Sequence, residues 1–161
     1  MAGVDYDVAR KTSVGARLGG ERRTREGERD VTAPYAEFSA KHDYAPKSYL
    51  VGGYAYTLEE TSDIVRFTDA KVHRIFASVQ HAVSALVVAS GSVTYEPSRL
   101  QGRRGFAGID EKTLRAGVAL TWLPTKNWSA SATYDHDRVR SDDPSRRLRR
   151  ARVALGATFA F

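Results

Sequence analysis

A strict alternation of apolar and polar residues at the C-terminus is the feature that most restricts the fold of this 161-residue chain. Counting back from Phe161 in steps of two gives Phe159, Ala157, Leu155 and Val153, whereas the intervening positions are small or basic. Successive residues of a β-strand point to opposite faces, so this period of two predicts a strand with one apolar face. A tilted strand of about 9 to 11 residues is long enough to cross a lipid bilayer.

The same alternation recurs along the chain and leaves no convincing helix. With the last strand it gives eight candidate strands, the others lying near residues 8–18, 36–41, 50–56, 74–80, 86–96, 113–122 and 128–137. We therefore expect an all-β fold in a single domain, residues 1–161, built as an antiparallel up-and-down transmembrane β-barrel of about eight strands. Half of a larger barrel is the alternative.

The connecting segments alternate between short and long. Residues 45–48, 82–84 and 124–127 are short connections, the first and last with turn chemistry, whereas 23–30, 61–69, 97–110 and 141–145 are longer and polar. Short turns at one end and long loops at the other are typical of outer-membrane barrels. An even strand count would place both termini on the short-turn side.

Composition is compatible with a barrel and excludes other classes. No apolar run reaches the roughly 18 to 20 residues that a membrane helix needs, whereas barrel strands are only half apolar. The absence of cysteine excludes disulfides, a thiol nucleophile and a thiolate metal site. The first residues lack the basic start and apolar stretch of a signal peptide, which an outer-membrane protein needs. Either it has been removed, or the chain is part of a longer protein.

Alternation alone does not tell which face points inward, and two features favour an apolar face toward lipid. The first is a set of aromatic residues near strand ends, expected at the membrane interface: Tyr95, Trp122, Trp128, Tyr134, Phe159 and Phe161. The second is the opposite face, which combines small residues with charges of both signs. The residues expected to line the lumen are Lys11, Arg17, Glu37, Lys41, Arg74, Arg115, Asp135, Asp137, Arg150 and Arg152.

The net charge of +6 first suggests nucleic acid, but the arginines are spread along the chain among acidic residues. The dense exception is the run 146–152. We interpret it as a strand whose outer end passes anionic headgroups while its inward arginines form ion pairs. No nucleic-acid partner is expected.

The last ten residues, Arg-Val-Ala-Leu-Gly-Ala-Thr-Phe-Ala-Phe, resemble the C-terminal strand by which the barrel-assembly machinery recognises outer-membrane proteins. Residues 123–134 with the following basic loop and that strand resemble the end of the β-barrel porin type 2 family, over about the last 110 residues. The resemblance implies the bacterial outer membrane, with its lipids and lipopolysaccharide and the assembly machinery as partners. That family usually has about twice as many strands, so this chain could be a complete monomer or half of a dimeric barrel.

The function expected from this pattern is a porin-like or structural membrane component. Eight strands alone leave an interior filled by side chains, whereas a half-barrel of a larger pore would show modest anion selectivity. A soluble ligand-binding barrel is the first alternative. A lipid A-modifying enzyme using His136 is the second, although Arg138 stands where the deacylase pattern has serine. We expect no catalytic residue, metal site or cofactor, and His73 and His81 are too far apart along one strand to share a metal.

Overall fold

The computed structural model describes residues 2–23, 31–61, 63, 65–103 and 105–160. This part of the chain forms a single antiparallel sheet whose strands follow one another in chain order. The strands are β1 (Ala2–Ala9), β2 (Thr12–Arg23), β3 (Val31–Ala45), β4 (Ser48–Glu60), β5 (Phe67–Ala82), β6 (Val87–Gly102), β7 (Ile109–Trp122), β8 (Trp128–Ser141) and β9 (Leu148–Phe159). A 3₁₀ turn, Pro144–Arg146, precedes β9, and the described residues contain no helix long and apolar enough to cross a membrane.

The expected fold class, an all-β up-and-down arrangement, is confirmed. Each strand pairs antiparallel with its neighbours in the chain, and β1 and β9 are the two edges of the described sheet. The sheet is therefore open rather than closed on itself. The described residues form nine strands, one more than expected, because the segment near 8–18 is a hairpin and not one strand. Its turn at Arg10 and Lys11 contains no glycine, proline or asparagine, so the sequence gives little sign of it.

The strands also extend further toward the long loops than expected. β6 continues through Pro97 to Gly102, and its pairing with β7 includes Ser98 opposite Glu111 and Arg99 opposite Asp110. The apolar alternation stops earlier because both faces can be polar beyond the apolar part of the sheet, while backbone pairing persists. The three short connections lie where they were expected. The loop at 24–30 lies outside the described residues.

The strand register aligns apolar residues with apolar residues on neighbouring strands, so the sheet has two distinct faces. Each strand contributes apolar residues to one of them, and we call this continuous surface the apolar belt. Its members include Val4, Tyr6, Val14, Leu18, Phe38, Leu50, Ile75, Val79, Val93, Leu114, Val118, Leu120, Trp122, Trp128, Tyr134, Val153, Leu155 and Phe159. These side chains are exposed even away from the sheet edges, where Val118 is 59% and Leu120 50% accessible, so the described sheet leaves the belt uncovered.

The opposite, polar face carries mostly small and charged residues, with a large aromatic residue at one point. Phe76 lies on this face beside Gly53, its pairing partner on β4. A Cβ atom at Gly53 would lie 2.6 Å from Phe76 Cζ and 2.5 Å from the Phe38 carbonyl oxygen. Only glycine leaves room for the ring at this point, which explains both the aromatic exception and the glycine opposite it.

Candidate functional site

The polar face carries charges of alternating sign from one edge of the sheet to the other. We call this set the charge row: Asp5 (β1), Arg17 (β2), Glu37 (β3), Arg74 (β5), Glu96 (β6), Arg115 (β7), Asp137 (β8) and Arg150 (β9). At the level of the row β4 contributes the small residue Ala55, between Glu37 and Arg74. Opposite charges on neighbouring strands attract each other, so the row favours this register of the sheet.

Glu96 is the centre of the row. Its carboxylate lies 2.7 Å from Arg74 Nη2 and also accepts a hydrogen bond from Arg115 Nη1. The Glu96 side chain is 8% exposed, whereas those of Arg74 and Arg115 are 38% and 58% exposed. Arg74 also lies 3.4 Å from a Glu59 carboxylate oxygen. One buried carboxylate thus holds two arginines on the strands at either side of it.

The two ends of the row are paired in the same way. Arg17 lies 3.4 Å from Glu37 and 3.8 Å from Asp5. At the other end, Arg150 donates through Nε and Nη2 to one Asp137 oxygen, at 3.0 and 2.5 Å. Every base of the row is therefore within ion-pair distance of an acid on an adjacent strand.

Most residues expected to line a lumen share the polar face, but they form separate groups. The row contains six of them, and Asp135 lies directly opposite Arg152 between the row and the short turns. Lys41 lies further toward the short turns, where it pairs with Asp43 at 3.1 Å. Lys11 differs from the expectation, since it lies in the turn between β1 and β2 and not on a strand face.

Sequence reasoning missed Asp5 and Glu96 as members of this set. Glu96 follows the belt residue Tyr95, so the alternation already places it on the polar face, but its role depends on its pairing with β5 and β7. Asp5 was missed because the first hairpin was not predicted. The strands β6 to β9 also line a polar cleft near the row, bordered by Thr94, Arg115, Asp135, Asp137 and Arg152.

At the long-loop end, two distant loops are joined above the polar face. Arg66, before β5, donates from Nη1 to Asp143, between β8 and β9, at 2.8 Å, and from Nε to Asp63 at 2.7 Å. Phe67 is 3% exposed, with the guanidinium groups of Arg66 and Arg146 at 5.4 and 5.9 Å from its ring centre. Arg146 is held in turn by Glu111 on the polar face, 2.9 Å away. We call these six residues the loop clasp.

Hydrogen bonds fix the charge states within the clasp. Bonds donated by the Ser145 hydroxyl and backbone N–H, and then by Arg66, lower the pKa of Asp143 from 3.8 to about 2. The hydrogen bond from Arg66 likewise lowers the pKa of Asp63. The pKa of Arg66 is raised by its bonds to the same two carboxylates. The clasp is thus a charge-assisted contact at neutral pH.

The clasp also indicates how the sheet curves. Strands β5 and β8 are three positions apart, about 14 Å in a flat sheet. Their loops meet on the side of the sheet where Glu111 lies, which is possible when this end curls toward the polar face. The contact therefore favours a concave polar face and a convex apolar belt.

The aromatic residues lie on the apolar belt, mainly near its ends. Trp128 contacts Phe159 at a ring-centre distance of 5.0 Å, and Trp122 flanks the same short turn. Tyr95 lies near the opposite end of the belt. Tyr134 differs from the expectation, because it pairs with Val118 and Val153 in the middle of the belt. Phe161 lies outside the described residues.

Tyrosine–histidine contacts extend these aromatic bands and were not expected. Tyr44 stacks on His81 near the short turns, and the Tyr54 hydroxyl lies 2.7 Å from His73 Nδ1 near the other end. His136 faces outward between Ala116 and Ala151, whereas both neighbouring aspartates in the chain face the other way. No cluster of three potential metal ligands occurs in the described part of the chain.

A nine-stranded up-and-down sheet with an exposed apolar belt, aromatic bands and a charged opposite face defines an outer-membrane type of β-barrel protein. The chain belongs to the family described as Putative beta-barrel porin 2, whose model matches residues 51–161. The expected resemblance to that family is confirmed.

Among solved structures, the chain is similar to Ail, the attachment invasion locus protein of Yersinia pestis. The sequences are 15% identical, the similarity covers 92% of this chain and 97% of that chain, and the TM-score is 0.38. A similarity at that level does not bear on function. No curated protein matches the chain significantly in sequence.

Proposed function

We propose that the protein is a porin-like component of the bacterial outer membrane, with the apolar belt against lipid and the polar face toward an aqueous lumen. The observation that carries the proposal is the exposed apolar belt, which all nine strands continue. Monomeric soluble proteins rarely expose contiguous apolar patches larger than a few hundred Å². In a lipid bilayer the belt contacts hydrocarbon rather than water, so the unfavourable free energy of exposing apolar surface to water disappears.

The loop clasp and the charge row support the same orientation. A soluble ligand-binding barrel would enclose the apolar belt and would leave the charge row outside. The clasp draws the long loops toward the polar face instead, which supports a concave polar face. Ion pairs on a concave face line a lumen, where water and counter-charges solvate them.

The ion pairs bear on the selectivity of such a lumen. The inward arginines alone favour anions, but acids on adjacent strands balance those of the charge row. We therefore expect only a weak anion preference. A lumen wide enough to conduct requires closure of the open sheet, either by further strands or by a second copy of the chain. The barrel-assembly machinery would recognise β9 during this closure.

Reconstitution in planar bilayers tests the proposal. The chain has no cysteine, so Ala119→Cys on the polar face and Val118→Cys on the belt are matched single-thiol variants. If residue 119 lines a lumen of porin dimensions, a charged, water-soluble reagent attached to the Ala119→Cys thiol narrows that lumen. The conductance of this variant should then fall by at least about twofold. The same reagent should leave the conductance of Val118→Cys unchanged.

Three results would contradict the proposal. They are the absence of ion conductance, an equal response of the two thiols, and a clear cation preference in the reversal potential under a salt gradient. Absence of conductance would contradict the porin-like role but not insertion into the membrane. An equal response of the two thiols would contradict the assignment of the polar face to the lumen and the belt to lipid.

A further inference from the structure

The outer face carries a group of basic residues directly beyond the apolar belt, at the long-loop end. On β7, β8 and β9 the belt ends at Leu114, His136 and Ala151. The next outward-facing positions are all basic. We call them the basic patch: Lys112, Arg138, Arg140 and Arg149.

Register brings these cations together in like-charged pairs. Lys112 lies directly opposite Arg140, and Arg138 lies directly opposite Arg149. Like charges at directly opposite positions of neighbouring strands destabilise a sheet. All four side chains are exposed, and the structure gives none of them an ion pair with any residue that it describes.

The acids closest to the patch do not neutralise it. Asp110 lies opposite Asp142, one step beyond Lys112 and Arg140 on the loop side. Asp110 lies 3.8 Å from Arg99, and the Asp142 carboxylate accepts a hydrogen bond from the backbone N–H of Asp110. The patch therefore separates these acids from the belt and needs negative charge from outside the chain.

We propose that the basic patch binds the phosphate groups of a phosphorylated glycolipid in the outer leaflet. The inference rests on the proposed function, because the long-loop end faces the cell exterior in an outer-membrane barrel. An occupant must present anionic groups to the patch while its acyl chains cover the belt below. A phosphorylated lipid headgroup satisfies both requirements, and two phosphates can each face one pair of cations.

The test uses protein refolded in a phosphate-free maltoside detergent and titrated with diphosphoryl lipid A. The variant Arg138→Gln/Arg149→Gln removes one opposed pair. Its charge-matched control, Arg10→Gln/Lys126→Gln, removes two exposed cations from the short-turn end. The apparent Kd should rise at least tenfold in the first variant and stay within twofold in the control. Arg138→Lys/Arg149→Lys, which keeps both charges, should restore most of the affinity.

Two further ligands identify what is bound. Phosphate-free lipid A of the same acylation should bind at least tenfold more weakly, and millimolar inorganic phosphate should not raise the melting temperature. Equal affinity for the phosphate-free lipid, equal stabilisation by free phosphate, or equal Kd values for patch and control variants would each overturn the proposal.

Folding is followed in the same samples by gel migration with and without boiling. Without glycolipid, the Arg138→Gln/Arg149→Gln variant should be at least as stable as the wild type, since it relieves repulsion. A heat-modifiable protein with unchanged Kd values overturns only this inference. A protein that folds without detergent overturns both the inference and the proposed membrane function.

Discussion

Arginine residues on the two faces of β8 and β9 have opposite kinds of neighbour. Arg149 and Arg150 are adjacent in the chain, and the pleat sends them to opposite sides of the sheet. On the polar face Arg150 meets Asp137, whereas on the outer face Arg149 meets Arg138. The chain itself thus neutralises the inward arginine, whereas the outward arginine lies opposite a second arginine.

The difference shows that charge content alone does not describe such a protein. The run at 146–152 looks uniformly basic, yet Arg146 binds Glu111, Arg150 binds Asp137 and Arg152 lies opposite Asp135. Only Arg149 joins the basic patch. The interpretation of this run as partly inward ion pairs and partly an outer end beside anionic headgroups agrees with these positions, although its lipid partner remains a proposal.

The largest effect expected is from a charge placed on the belt. Val118→Arg should lower the free energy of unfolding by about 2 to 4 kcal/mol, because it puts a cation at mid-membrane depth on the lipid-facing side. Ala119→Arg, one residue away on the polar face, should cost less than about 1 kcal/mol, because its guanidinium can stay hydrated. Urea unfolding in lipid vesicles gives both values.

A second control for this prediction changes the depth of the substituted residue in the membrane. Leu114→Arg, at the loop-side end of the same belt strand, should cost only about 1 kcal/mol, because the guanidinium reaches the membrane interface and only a small repulsion from Arg138, directly opposite, is added. Equal costs at Val118 and Leu114 would indicate an ordinary apolar core rather than a belt in lipid. Equal costs at Val118 and Ala119 would remove the distinction between the faces.

A smaller effect is expected at the centre of the charge row. Glu96→Gln should destabilise the protein by about 2 kcal/mol, since it leaves Arg74 and Arg115 close together without their shared carboxylate. Glu59→Gln is the matched control, because Glu59 also contacts Arg74 but is 45% exposed. That change should cost less than about 0.5 kcal/mol.

The same unfolding experiment measures both glutamate variants. A Glu96→Gln protein as stable as the control would show that water and counter-ions, and not the buried acid, neutralise the inward arginines. Arginines of the polar face would then depend on groups outside the chain for neutralisation, as proposed for the outward arginines.

For the expected lumen residues other than Lys11, sequence alternation predicted which residues share a face, because it depends only on the pleat of each strand. It could not predict which residues become neighbours across strands. Arg150 meets Asp137, rather than Asp135, because the connection between β8 and β9 sets that register. Glu96 was overlooked for this reason, since its partners come from strands on both sides.

Two further features could not be read from the chain. The turn at Arg10 and Lys11 has no turn-forming residue, so β1 and β2 looked like one strand. The loop clasp joins Arg66 to Asp143, 77 residues later, and depends on the curvature of the whole sheet. Alternation carries no information on curvature, which is why it left the choice of inner face open.

The smallest effect is expected in the loop clasp, where the chain again neutralises its own charges above the polar face. The low pKa of Asp143 means that the folded protein favours its carboxylate form. The clasp is therefore fully present above the ordinary pKa of 3.8 and is lost as the pH falls through about 2. Spin labels on Val65→Cys and Arg147→Cys report the separation of the two loops. Their distance should stay constant from pH 7 to 4 and lengthen near pH 2.

Asp143→Asn should lengthen that distance already at pH 7, because it removes the charge that holds Arg66. Asp142→Asn is the matched control, since the neighbouring carboxylate accepts a hydrogen bond from the backbone of Asp110 and from no side chain among the described residues. Overall unfolding should change little in either variant, because Asp143 and Arg66 lie in loops outside the paired strands. A loop distance that lengthens between pH 5 and 4, or that responds equally to both variants, would contradict the role of Asp143. The loops would then be held by the packing of Phe67 between two guanidinium groups rather than by the ion pair.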